Sequence, residues 1–84
     1  MNKWYVYIVE CADGSLYTGI TTDVDRRLLE HNYSFKSAKY TRSRRPVNLV
    51  WFKEVSGGRS GASKEEYRIK RLSRKKKLEL IQGS

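Results

Sequence analysis

The chain has 84 residues, with 18 Lys and Arg against 9 Asp and Glu, a single His, a single Cys and a net charge of +9. That length accommodates one domain, residues 1–84, and a small core, because a chain this short hides only about 60% of its unfolded surface. One Cys excludes an internal disulfide, one Cys with one His excludes a zinc site of known ligand spacing, and no apolar run approaches the roughly 18 residues a membrane span needs. A cytoplasmic location without a secretory leader is the expectation, since Met1 runs straight into strand-like sequence.

Residues 4–9 alternate Trp4, Val6 and Ile8 with Tyr5, Tyr7 and Val9, a period of two that predicts a strand. Ala12-Asp13-Gly14-Ser15 is turn chemistry, and residues 16–20 form the returning strand. Keeping Leu16 and Ile20 on the face of Val6 and Ile8 pairs even positions with even ones. A three- or five-residue loop does this and a two-residue turn does not. Tyr5, Tyr7, Tyr17 and Gly19 then share the opposite face.

A helix is expected to begin at Thr22-Asp23-Val24-Asp25, behind a hydroxyl cap, and to run to about Asn32. Val24 and Leu28 mark its buried stripe, His31 falls beside it, Arg27 lies on its flank, and Arg26 and Glu30 point to solvent. Residues 33–46 lack apolar periodicity and read as a long basic loop closed by Pro46. Residues 47–55 are strongly β, with Val47, Leu49 and Trp51 against Val50 and Phe52. Apolar residues on both faces predict a central strand. Residues 56–61, rich in Gly and Ser, read as a flexible break. A helix follows over about 62–72, and Ser73 caps a second one through Leu78 and Ile81.

Charge is unevenly placed. Residues 1–58 carry a balance of +3 and residues 59–84 carry +6, while residues 32–53 contain no acid. Such blocks attract polyanions, of which nucleic acid is the commonest inside a cell. Lys39, Arg42, Arg44 and Arg45 in the acid-free stretch, and Lys70, Arg74, Lys75, Lys76 and Lys77 near the end, are the candidate phosphate contacts. Hydrolysis by a serine or cysteine triad would have to run through His31 alone. The remaining candidates for chemistry are the hairpin tyrosines, Arg27, and a helical glutamate at 65 or 66. The helical wheel does not separate those two.

Tyr5-Val6-Tyr7, Tyr17-Thr18-Gly19 ten residues on, Arg27 and a helical Glu66 together resemble the GIY-YIG nuclease superfamily. The likeness is to its small stand-alone bacterial branch, similar to the nuclease domain of the excision-repair incision subunit. The stretches WYVYIVECADGSLYTGITTDVDRRLLEHN, AKYTRSRRPVNLVW and KEEYRIKRLSRKKKLELI carry the resemblance over nearly the whole chain. Tyr5 stands where the first triplet ordinarily has glycine.

The resemblance implies an α/β fold, a small three-stranded, mostly antiparallel sheet flanked by three helices. It also implies a metal-dependent endonuclease acting on DNA, with one Mg²⁺ or Mn²⁺ held by Glu66. Tyr17 would be the general base, Arg27 the donor to the scissile phosphate, Tyr7 an assisting hydrogen-bond donor to Tyr17 or the phosphate, and His31 a supporting group. A non-catalytic nucleic-acid-binding module on the same scaffold is the alternative. An adaptor for an acidic protein rests on charge alone. So small a domain is expected to rely on a further protein for target recognition.

Overall fold

The computed structural model describes residues 3–83. Its elements in chain order are β1 (Trp4–Glu10), β2 (Leu16–Thr21), α1 (Val24–Tyr33), α2 (Lys39–Arg42), β3 (Asn48–Val55), α3 (Gly58–Lys70) and α4 (Arg74–Gly83). The three strands form one antiparallel sheet in the order β2-β1-β3. The hairpin has the expected register: Val6 pairs with Ile20, Ile8 with Thr18 and Glu10 with Leu16, across a five-residue loop. Even positions therefore share one face and odd positions the other.

Each face carries its own core. Val6, Ile8 and Trp51 pack with Ile69 of α3 and with Leu80 and Ile81 of α4. On the other face Tyr7, Val9, Cys11 and Val47 pack with Tyr17, Leu49 and Leu28 of α1. The sheet is thus sandwiched between α1 and the α3–α4 pair. Fully buried Ile8 and Ile69 each contribute about 1.5–3 kcal/mol of apolar burial.

The central strand is β1, not β3 as the two-faced apolar pattern of residues 47–55 predicts. A β-bulge explains the misreading. Ile8 pairs with Trp51 but Val9 pairs with Leu49, so Val50 is the extra residue. The bulge puts Leu49 and Trp51 on opposite faces although they are two apart, and Phe52, near the outer edge, is left exposed.

Local chemistry accounts for the other departures. Asp23, not Thr22, caps α1: its carboxylate accepts from the Arg26 N–H at 3.0 Å. Glu30 is only half-exposed, because Arg27 and Arg26 pair with it at 2.9 and 3.7 Å. The stretch over 33–46 contains the one-turn helix α2, which among the described residues joins the three longer helices expected, α1, α3 and α4. The glycine-rich segment does not break the chain but starts α3. Gly57 sits at φ 88°, where a side chain is strained, and a Cβ on Gly61 would lie 1.9 Å from the Ser56 carbonyl oxygen. Ser73 caps α4 as expected, its Oγ accepting from the Lys76 N–H at 3.2 Å.

Candidate active site at the β2 edge

The pleat puts Tyr7, Tyr17 and Gly19 on the α1 face of the hairpin. Gly19 pairs directly with Tyr7, and the Tyr7 ring lies across it: a Cβ on Gly19 would fall 2.5 Å from the Tyr7 hydroxyl. That clearance lets the phenol reach α1, where its oxygen meets His31 Nε2 at 2.6 Å. His31 is wholly buried, nearer the core than its flanking place on the helical wheel predicts. Its Nδ1 is 2.8 Å from Thr41 Oγ1, which in turn donates to the Ala38 carbonyl at 3.0 Å.

The proton positions are assigned from this relay. With the Thr41 hydroxyl donating to the Ala38 carbonyl, His31 Nδ1 donates to Thr41. Nε2 is then a lone-pair acceptor, and the Tyr7 hydroxyl donates to it. Burial, reinforced by the Arg27 charge, lowers the His31 pKa to about 4. Burial also pushes Tyr7 up to about 12, outweighing the opposing pull of Arg27. Both groups are neutral at neutral pH. The Tyr7 phenol thus spends its proton on His31, where a bond to Tyr17 or to phosphate was expected of it.

Arg27 is positioned through one nitrogen. Its Nη1 donates to Glu30 Oε1 at 2.9 Å and to the Lys36 carbonyl at 2.8 Å. Burial opposes its charge, but the bond to Glu30 and the nearby Tyr7 phenol outweigh it and raise the Arg27 pKa. Tyr17, half-buried, sits edge-on to His31 with ring centres 5.5 Å apart and stacks on Tyr40 at 5.9 Å.

Because β2 is an edge strand, α3 on the far side of the sheet also reaches this spot. Lys70 lies 5.9 Å from the centre of the Tyr17 ring and 3.4 Å from Glu66 Oε2. The Glu66 charge also bears on Tyr7. Glu65 points elsewhere: it pairs with Arg68 at 2.7 Å and Lys53 at 3.3 Å in a separate cleft beside β3. Those bonds, Arg68 first, bring its pKa down to about 2. The tertiary structure therefore separates two glutamates that the wheel could not. Glu66 alone faces the tyrosines.

The nine basic candidates fall into unlike settings. Lys39 is exposed at the start of α2. Arg42 donates to the Phe35 carbonyl at 3.1 Å. Arg44 pairs with Asp13 at 3.1 Å and covers the Tyr40 ring at 4.0 Å. Arg45 departs most from a phosphate contact. Its Nε donates to the His31 carbonyl at 2.6 Å and its Nη2 to the Ser34 carbonyl and Ser37 Oγ, so it caps the end of α1. Arg74, Lys75 and Lys76 are exposed in the first turn of α4, Lys76 lying 3.7 Å from Glu79, and Lys77 is half-buried. Sequence reasoning overlooked Thr41, Glu30 and Tyr40. Thr41 sits in a stretch with no apolar period, so nothing local marked it.

An antiparallel three-stranded sheet with two hairpin tyrosines, a helical arginine and a helical glutamate meeting at one sheet edge defines the class. The chain belongs to the GIY-YIG catalytic domain family, whose model matches residues 3–79. It is 60% identical to the UPF0213 protein DP2720 of Desulfotalea psychrophila, over 96% of this chain and 73% of that one. It is 53% identical to the UPF0213 protein SSP2268 of Staphylococcus saprophyticus, over 96% of both. The solution structure of the UPF0213 protein BH0048 from Bacillus halodurans is similar, with TM-score 0.60 and 51% identity over 95% of this chain and 83% of that one. So is EF2693 from E. faecalis, with TM-score 0.61 and 40% identity over 98% and 86%. The family is one of nuclease domains, which implies an endonuclease-like function on nucleic acid. No helix among the described residues is long and apolar enough to cross a membrane.

Proposed function

We propose that this protein hydrolyses phosphodiester bonds in DNA with the aid of one Mg²⁺ or Mn²⁺. The observation that carries this reading is the convergence of Tyr7, Tyr17, Arg27 and Glu66 at the β2 edge. Glu66 would hold the ion. Its donors are hard oxygens, and no group of three or more metal-ligating side chains gathers among the described residues. One carboxylate with water and phosphate oxygens suits Mg²⁺, which keeps several waters. When bound, the ion supplies neutralisation of phosphate charge.

The chain's own residues do the rest. Arg27, braced by Glu30 and the Lys36 carbonyl, offers donors to the scissile phosphate. Tyr17, having first released its own phenolic proton to solvent, takes the proton from the attacking water as a phenolate. Tyr7 is the weaker candidate for that task. Burial raises its pKa and lowers that of His31, so both shifts oppose passing its proton inward to the imidazole. Tyr7 and His31 instead form a fixed neutral pair that orients the hydroxyl. Lys70 attends Tyr17 and Glu66, while Lys39, Arg42 and the cations of α4 hold the backbone of the nucleic acid.

Labelled single-stranded, duplex and branched DNAs, incubated with Mg²⁺, with Mn²⁺ and with chelator, test the reading. Cleavage that chelator abolishes is expected. Binding to all of them without cleavage under any condition would favour a non-catalytic nucleic-acid-binding module. A cytoplasmic setting and a further protein supplying target recognition belong to the same proposal.

A further inference from the structure

Phe35 and Tyr33 are 92% and 81% exposed, although rings of this size normally go inside. The backbone that carries Phe35 is nevertheless tied down. The Lys36 N–H bonds to Ser34 Oγ at 3.0 Å, the Ser37 N–H to the Ser34 carbonyl at 3.3 Å, and Arg42 to the Phe35 carbonyl. Arg27 reaches the Lys36 carbonyl from the site itself. With the backbone braced, only the ring's own rotamers remain to be ordered when it meets a partner.

The surroundings say which partner. Lys36, Lys39 and Arg42 are all exposed around the rings, and no acid occurs between residues 32 and 53. The patch also runs into the site. Tyr40, 40% exposed, stacks on Tyr17 with an interplanar angle of 22°. Exposed rings set among cations match a strand that offers bases and phosphates in alternation. A duplex keeps its base faces stacked inside and offers such rings only its ends. A second copy of the chain is disfavoured, because it would bring the same acid-free cations face to face.

We propose that Tyr33, Phe35 and Tyr40, with Lys36, Lys39 and Arg42, form a docking rim for an unpaired nucleic-acid strand. Its bases stack on the rings while its backbone passes beside Arg27. The proposal rests on the nuclease reading and adds the strand state of the substrate.

The test is fluorescence anisotropy on the full chain in chelator. The probes are a labelled single strand, its duplex, and a single strand of abasic residues that keeps the phosphates and lacks the bases. The base-bearing strand is expected to bind about tenfold or more tighter than the abasic one. Joint Tyr33→Ala and Phe35→Ala substitution, at positions too exposed to threaten the fold, should cut most of that difference, leaving what Tyr40 supplies, and keep duplex affinity within about twofold. Phe35→Trp should keep the difference. Equal binding of the two single strands by the wild-type chain overturns the proposal, as does undiminished single-strand binding by the double variant. So does a wild-type dimer in sedimentation that the double variant dissolves, since the rings would then seat a second copy. Tight single-strand binding with no metal-dependent cleavage would overturn the nuclease reading and leave the rim standing.

Discussion

The Tyr7 hydroxyl and His31 Nε2 stand 2.6 Å apart, joining the central strand to the helix that carries Arg27. The bond is buried, and its direction is set from the far side of the imidazole by Thr41. Orientation of the site therefore depends on a hydroxyl that lies outside the cluster of candidate catalytic side chains.

Thr41→Val keeps the shape and deletes that hydroxyl. His31 Nδ1–H would be left buried and unpaired, at a cost of about 1–3 kcal/mol. The imidazole then gains by moving its proton to Nε2, where it no longer accepts from Tyr7. Nitrogen NMR should show the Nδ1–H form in the wild-type protein and in Thr41→Ser, and a loss of that form in Thr41→Val. An Nε2–H imidazole in the wild-type protein would contradict the assignment.

His31 also makes stability depend on pH. Its pKa falls from 6.5 to about 4 on folding, so the unfolded chain binds more protons between those values. The neutral, buried form contributes its full stability above about pH 6.5 and loses it as pH falls towards 4, by up to ~3 kcal/mol. The low pKa of Glu65 acts in the same direction but only below 4.5. Denaturant midpoints measured from pH 7 to pH 4.5 should therefore decline in the wild-type protein. In His31→Gln, less stable throughout, the decline over that window should be largely absent.

Gly19→Ala tests how the Tyr7 phenol reaches His31. A methyl group 2.5 Å from the hydroxyl must push the ring aside. We expect destabilisation of about 1–3 kcal/mol and loss of the His31 bond, visible as a rise in the His31 pKa towards its ordinary value. Retention of both stability and pKa would mean that β2 yields more readily than its pairing implies.

Glu66→Ala should abolish cleavage and leave DNA binding equal or slightly tighter, since a negative charge leaves the site. Glu65→Ala should cleave normally but lose the bridge to Arg68 and Lys53, a partly exposed network worth about 1 kcal/mol at most. The reverse pattern in single-turnover assays would move the metal site to the other cleft.

Tyr17→Phe keeps the ring that stacks on Tyr40 and removes the proposed proton acceptor. Single-turnover cleavage should fall by about 10²–10⁴ with binding unchanged. Wild-type rates in Tyr17→Phe would leave Tyr17 as packing alone.

The sequence by itself determined the hairpin, its even-with-even register, the helix bearing Arg27 and His31, and the capping of α4 by Ser73, because each is set by contacts between near neighbours in the chain. Period, turn chemistry and caps are local quantities. The family likeness singles out Tyr7, Tyr17, Arg27 and Glu66 as a group, where the wheel leaves Glu65 and Glu66 open. Only the tertiary structure decided which strand is central, since a single bulged residue, Val50, reverses the faces of everything beyond it. Only it showed that Glu65 turns to Lys53 and Glu66 to the tyrosines, because that depends on where α3 crosses the sheet. The Tyr7–His31–Thr41 chain was illegible for the same reason. It spans residues 24 and 10 positions apart, and a buried hydroxyl finds its partner through packing, which no local pattern encodes.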